Sequence, residues 1–207
     1  MSYLGNQITT VFPTSISVDS ATISGNASVG GTLGVTGATT LSNTLGVTGV
    51  STLSDNIVFG ASSKGVHLGV TSATASNLLD DYEEGTWTPT VNSGTIAITT
   101  NSSRYIKVGN LVTVYTRINS FSDNTGSNDF ILKSLPFTIS ANNPDANIGN
   151  AWGGSMGNEQ CLFFYTSPNS TQTLGYYGAT GSGFNQVFHY DFSSSTDMLI
   201  KLTYITA

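Results

Sequence analysis

An all-β fold is predicted, in two parts: an intertwined trimeric β shaft and, after it, a C-terminal β-sandwich or jelly-roll-like head. Three observations predict it. The first is a tandem repeat, in which residues 32–43 are followed at once by residues 44–55 with nine of 12 positions identical. The second is composition: charged residues are 9%, hydrophobic residues 38% and aromatic residues 10%, with Gly, Ser, Thr and Asn filling much of the rest. Disorder goes with high charge and few aromatics, and neither holds. β-prone residues broken by Gly and Asn turns are the composition of strands instead. The third is a run of short apolar segments after residue 85, separated by turn residues at the spacing of an all-β domain.

Residues 1–19 form the first element. Tyr3, Leu4, Ile8 and Phe12, with Val11, Ile16 and Val18, are too apolar for a solvated tail. Pro13 argues against a helix through the middle. The reading is an extended arm that orders by docking onto a partner; the alternative is a frayed terminus.

Residues 20–84 form the shaft and a junction. In each repeat block a Leu-Gly-Val run alternates, so Leu33 shares a face with Val35, and Leu45 with Val47. A Thr-Gly turn follows, then a second short strand carrying Leu41 or Leu53. A weaker copy precedes them, with Ile23, Ser24, Gly25 and Val29 in equivalent places. Three apolar side chains per block cannot offset the ordering of 12 backbones in one chain, and every strand edge would be open. Identical chains around one axis remove both deficits. Three is the natural number, because three short strands enclose a thin apolar centre without a pore. A flexible linker is the alternative, but a linker has no use for Leu and Val at fixed offsets.

Past the repeat, residues 57–60 and 65–70 read as short strands and 76–84 as one short helix or turn. Asp80, Asp81, Glu83 and Glu84 are there. Their spacing matches no calcium loop, so they read as a solvated acidic junction. The remainder, residues 85–207, reads as a compact β domain with strands at 86–91, 95–100, 105–108, 111–118, 129–132, 137–139, 146–148, 160–166, 173–177, 186–190 and 198–205. Residues 111–118 and 199–205 alternate most cleanly, each a strand with one buried face. Many short strands at this spacing indicate a sandwich or jelly roll.

At these residues the chain resembles a known class. The tandem Thr-Leu-Gly-Val-Thr-Gly repeats are similar to the shafts of bacteriophage tail fibres and other trimeric virion fibres. Residues 2–6, Ser-Tyr-Leu-Gly-Asn, resemble the short segment by which many such fibres attach to the virion. Residues 79–91, Leu-Asp-Asp-Tyr-Glu-Glu-Gly-Thr-Trp-Thr-Pro-Thr-Val, look like a junction between shaft and tip. Residues 104–112 and 135–137 resemble phage-fibre tip domains, some of which are jelly rolls similar to the trimeric heads of complement and tumour-necrosis-factor proteins. The resemblance implies a homotrimer on the virion, made in the host cytoplasm. It also implies that the arm docks on a tail, baseplate or capsid protein.

Several function classes are set aside. A net charge of −6, with Lys+Arg 6 against Asp+Glu 12, does not suit a surface that tracks phosphates. No stretch approaches the ~20 apolar residues of a membrane helix, and no signal peptide is read. Cys161 is the single cysteine, so no intramolecular disulfide forms, and it reads as a small hydrophobe in an apolar strand. His67 and His189 lie far apart; His189 alternates with Phe188 and Tyr190 in an expected strand and reads as structural or surface. No His/Cys cluster has metal spacing. The Gly-Gly-Ser-Met-Gly run at 153–157 lacks the intervening residue of a nucleophile elbow. The head's acids, Asp123, Asp129, Asp145, Glu159, Asp191 and Asp197, show no pairing for sugar cleavage. The expectation is no enzyme, no cofactor and no metal.

Binding remains. Aromatic faces stack on the apolar faces of sugars, and amides hydrogen-bond to hydroxyls. Three stretches offer both on what read as loops: residues 150–154 with Trp152, the pair Tyr176 and Tyr177, and residues 184–186 with Phe184 and Asn185. For each residue, core packing or a subunit interface is the alternative. The expected function is attachment to a host-surface glycan. A purely structural capsid fibre or decoration protein, and a sugar-cleaving tailspike, are the other readings.

Overall fold

A computed structural model describes residues 19–92, 97–122, 125–141, 148–154, 162–179 and 183–206. The arm residues Tyr3, Leu4, Ile8 and Phe12, and Cys161, lie outside the described residues. The chain divides into a unit ending at Asn56 and a second unit from Ile57 onward.

In the first unit, every described residue is exposed and none belongs to a strand or helix. Leu33 is 71% exposed and Leu45 69%; Val35, Leu41, Val47 and Leu53 are likewise exposed. The strands expected in the repeat have neither an edge to pair with nor a surface to cover them in one chain. The repeat nevertheless recurs in local structure. The Thr44 amide donates to Asn43 Oδ1 at 2.9 Å, and the Asn56 amide donates to Asp55 Oδ1 at 2.7 Å, at the same place in successive blocks. Each contact ties the side chain to the very next amide, at a bend that recurs at residues 42–43 and 54–55.

The second unit is nearly all strand. β1 (Val66–His67) and β2 (Leu78–Leu79) form a small antiparallel ladder of their own, closed by a 3-10 turn at Ala75–Asn77. The helix or turn expected over 76–84 is therefore confined to its first residues. The strand expected over 65–70 shrinks to two residues, and the one over 57–60 is not seen.

Ten described strands form one antiparallel sheet. They are β3 (Tyr82–Thr86), β4 (Thr90–Val91), β5 (Ile98–Val108), β6 (Leu111–Phe121), β7 (Ile131–Lys133), β8 (Ile148–Gly154), β9 (Leu162–Thr166), β10 (Gln172–Ala179), β11 (Gly183–Gln186) and β12 (Asp197–Ile205). The order is β3-β5-β6-β12-β8-β9-β10-β7-β4, with β11 also on β10. The two edges are neighbours in sequence: β3 ends at Thr86 and β4 starts at Thr90. A chain reaches at most about 3.6 Å per residue, so these edges stand no more than about 14 Å apart. The sheet must curl, and it does so as a half-barrel. Trp87 fills the seam; it is 8% exposed and its indole N–H donates to the Tyr115 carbonyl at 3.3 Å.

Alternation explains the core. β12 buries Met198, Ile200, Leu202 and Tyr204, and β6 buries Val112, Val114 and Ile118. Phe130 stands edge-on to Phe121, Phe164 and Phe192, and Phe121 stacks on Phe192 at 4.4 Å. β7 and β11 lie end to end along one edge of β10, on either side of Gly175. A Cβ there would meet Phe130 at 3.1 Å, so Gly175 lets the core ring approach the backbone.

Several expected strands change. Those at 95–100 and 105–108 are one strand, β5, whose polar middle is absorbed by register shifts at Thr99/Thr100 and Thr100/Ser102. The strand at 86–91 splits around Pro89, which cannot donate to a ladder. The strand at 137–139 reduces to an Ile139–Thr206 bridge. That at 186–190 becomes a Phe188–Asp129 bridge and a 3-10 turn at His189–Asp191. His189 is fully buried in this turn, not alternating in a strand.

The acidic junction is solvated as expected, with Asp80, Asp81, Glu83 and Glu84 all exposed, but part of it is a strand: Glu83 and Glu84 lie in β3, paired along β5. Lys107 bridges to Asp81, and the Tyr105 hydroxyl donates to Glu83. The reason is parity: Glu83 stands opposite Lys107 in the ladder, on the side where β5 offers its cation and hydroxyl.

Candidate functional site

The residues not spent on the core make the site. On a strand, alternate side chains face opposite ways, so the register gives the outer face. One row crosses the sheet through consecutive ladder partners: Arg104, Tyr115, Lys201, Asn150, Phe163 and Tyr176. A second row carries Arg117, Leu199 and Trp152. Trp152 is 72% exposed and Phe184 71%.

Two clefts open on this face. One, of about 560 Å³, is walled by Tyr115, Arg117, Leu199, Lys201, Asn150 and Trp152. The other, of about 420 Å³, is lined by Phe163, Phe164, Tyr165, Tyr176 and Phe184. Phe184 stands edge-on to Phe163 at 5.7 Å.

Of the expected binding residues, Trp152, Tyr176 and Phe184 come together on the outer face. Tyr177 does not: it pairs with Leu162, lies on the inner side and packs against the core. Asn185 pairs with Tyr177 and lies on that same side of the ladder. None of the five is on a loop. Trp152 is in β8, the two tyrosines in β10, and Phe184 and Asn185 in β11. Gly149, just before residues 150–154, is a packing residue: a Cβ there would meet Leu202 Cδ1 at 2.8 Å and the Lys201 carbonyl at 3.0 Å, so glycine lets β8 lie close against β12.

Sequence reasoning missed Tyr115, Arg117, Leu199 and Lys201. The signal was present. Once Ile200, Leu202 and Tyr204 are inside, period-2 parity puts Leu199 and Lys201 outside, and the same holds for Tyr115 and Arg117 on β6.

Charge shapes this face. Arg117 donates to Asp197 through Nε at 2.9 Å and through Nη2. Those hydrogen bonds hold the Asp197 carboxyl below its ordinary range and raise the guanidinium. The pair is half-exposed, so it orients Arg117 more than it stabilises the fold. Lys201 Nζ lies 5.8 Å from the centre of the Tyr115 ring, a cation–π distance.

Among the described residues, no group of three or more His, Cys, Asp or Glu comes together. His67 Nδ1 is 3.1 Å from the Thr74 carbonyl, and His189 Nε2 is 3.4 Å from Asn92 Oδ1. Of the head's acids, Asp123, Asp145 and Glu159 fall outside the described residues, as does the Ser-Met-Gly of residues 155–157. No described helix is long and apolar enough to cross a membrane.

Fold and site together define a class: an all-β chain with an aromatic and basic sheet face and a repetitive N-terminal unit. Comparison with known proteins finds no matching family, no matching curated protein and no matching solved structure.

Proposed function

We propose that the chain is a homotrimeric fibre of a bacteriophage virion, attaching the particle to a host surface by binding a glycan without a chemical step. The observation that carries this reading is the repeat. Its Leu and Val side chains stand in solvent at fixed offsets, and the same side chain-to-amide contact closes both blocks. Copies of the same repeat are the one surface guaranteed to match it in spacing. Three copies pair the open strand edges and bury the apolar residues, which gives a slender shaft.

In this reading the arm, with Tyr3, Leu4, Ile8 and Phe12, joins a tail, baseplate or capsid protein, and the β unit is a jelly-roll-like tip. The tip presents Trp152, Tyr176 and Phe184 on one face, the amphipathic rings suited to a sugar. Three copies present three weak sites, and linked sites raise effective affinity without new contacts.

Purified chain added to host cells tests this directly. It is expected to coat the cells and to slow adsorption of the phage that encodes it, and antibody against the head is expected to label fibres on that particle. Labelling without competition would make the chain a structural accessory. Release of reducing sugar from host polysaccharide would make it a tailspike. A particle bearing no label would overturn the proposal.

A further inference from the structure

We infer that the cleft between β6, β12 and β8 is a subsite for an acidic sugar, a glycan bearing carboxylate or phosphate. The inference rests on the glycan-binding reading above and narrows its ligand. Cations are scarce in this chain: Lys+Arg number 6 against 12 acids. Yet Arg104, Arg117 and Lys201 gather around a single ring. Arg104 and Lys201 are the direct ladder partners of Tyr115 on its two sides, and Arg117 is two residues further along the same outer face of β6. Direct cross-strand neighbours have Cβ atoms roughly 5 Å apart, so the three charges share one patch.

An acidic protein gains nothing in stability by crowding three cations, because like charges on neighbouring strands repel. Of the acids at the margin, Asp197 is engaged by Arg117, while Glu84, which accepts from the Tyr82 hydroxyl at 3.2 Å and keeps its charge, shares a separate hollow with Arg104. Among the described residues neither Arg104 nor Lys201 is in an ion pair. Lys201 is thus left in the cleft to attract an anion, Arg104 stands beside it across Tyr115, and Arg117 is held as a wall.

The rest of the cleft suits a sugar ring. Trp152, directly opposite Leu199, offers an exposed indole beside the charges. Asn150, between Lys201 and Phe163, adds an amide for hydroxyls. A cleft of about 560 Å³ is within the range of small-ligand sites. The ring rests on Trp152 while the acidic group reaches Lys201, with Arg104 just outside the cleft across Tyr115. A charge-assisted contact is the stronger kind of hydrogen bond, and a groove rimmed by one sign of charge concentrates the opposite sign.

The test is a glycan array of acidic and neutral bacterial sugars, with polygalacturonate, its methyl ester and the sugar-free polyanion polyacrylate as matched probes. The full chain is applied in its natural form and as Arg104→Gln/Lys201→Gln and Trp152→Ala. Binding confined to acidic glycans is expected, polygalacturonate above its ester. Both variants should weaken it about tenfold or more, the size of one charge-assisted contact or one lost stacking partner, with melting unchanged. Equal binding of neutral glycans, unmoved by the charge changes, would overturn the inference and leave the glycan reading standing. Binding to no glycan at all would overturn both. Polyacrylate binding as well as polygalacturonate, with Trp152→Ala without effect, would reduce the patch to a charged surface and overturn the subsite. A fall in oligomeric mass in either variant would make the face a contact between copies and also overturn it.

Discussion

Leu45 in the repeat and Leu202 in β12 are the same side chain in alternating segments, yet Leu45 is 69% exposed and Leu202 is fully buried. The difference lies in what surrounds each strand. β12 has β6 on one edge and β8 on the other, and the curl of the sheet places Phe and Val side chains over its inner face. Among the described residues, the repeat forms no strand and pairs with none. Alternation therefore states a demand for cover without stating who supplies it. The β unit covers itself because its edge strands come from one short stretch around Trp87 and draw the sheet round. The repeat, with small residues and few apolar ones, has its cover only in copies of itself, as proposed above.

The sharpest way to test this contrast is to make the same kind of deletion in both units. Phe130→Ala removes a ring that touches three others, and should lower the unfolding free energy by about 3–5 kcal/mol in denaturant titrations. Leu45→Ala should leave the β unit's transition within about 0.5 kcal/mol. A repeat substitution that unfolds the β unit as strongly as Phe130→Ala would break the comparison.

A smaller effect sharpens it from inside the core. The Tyr204 hydroxyl donates to the Phe137 carbonyl at 3.1 Å and accepts from the Phe137 amide at 3.2 Å. Burial raises its pKa well above the ordinary tyrosine value. The folded state thus favours the neutral phenol. Its stabilising contribution is complete below the ordinary value near 10 and fades as pH rises past it. Tyr204→Phe should cost about 1–2 kcal/mol at pH 7 and flatten the alkaline decline in stability above about pH 10. Tyr82, Tyr105 and Tyr190 are also raised, chiefly by the Glu84 and Glu83 hydrogen bonds and, for Tyr190, by burial, so a residual slope should persist. An unchanged slope in Tyr204→Phe would mean that its hydroxyl is solvated.

How legible was this in the sequence? The fold class was legible, because residues 111–118 and Asp197–Ile205 alternate cleanly and flank each other in the sheet. Residue types at the site were also legible, since Trp152, Tyr176 and Phe184 do share a face. Their setting was not. Residues 150–154 around Trp152 read as a loop, and only their pairing with β12 makes them strand. Tyr176 and Tyr177 are adjacent and chemically alike, so only pairing with Phe163 and Leu162 decides which faces out. Arg104, Tyr115 and Lys201 come from three strands spread over nearly half the chain, and a local pattern carries no register between strands. The partners of the exposed Asp81 and Glu83 were hidden for the same reason, because Lys107 and Tyr105 meet them only through the β3–β5 ladder.

The central claim is that the repeat is completed by copies of itself. Sedimentation or light scattering of the full chain at micromolar concentration tests it most directly. The account predicts three times the 21.6 kDa chain mass. It also predicts loss of that mass when Leu33, Val35, Leu45 and Val47 are all changed to Ser, with the β unit's melting unchanged. A natural chain of single-chain mass, or a trimer indifferent to those four substitutions, would contradict it.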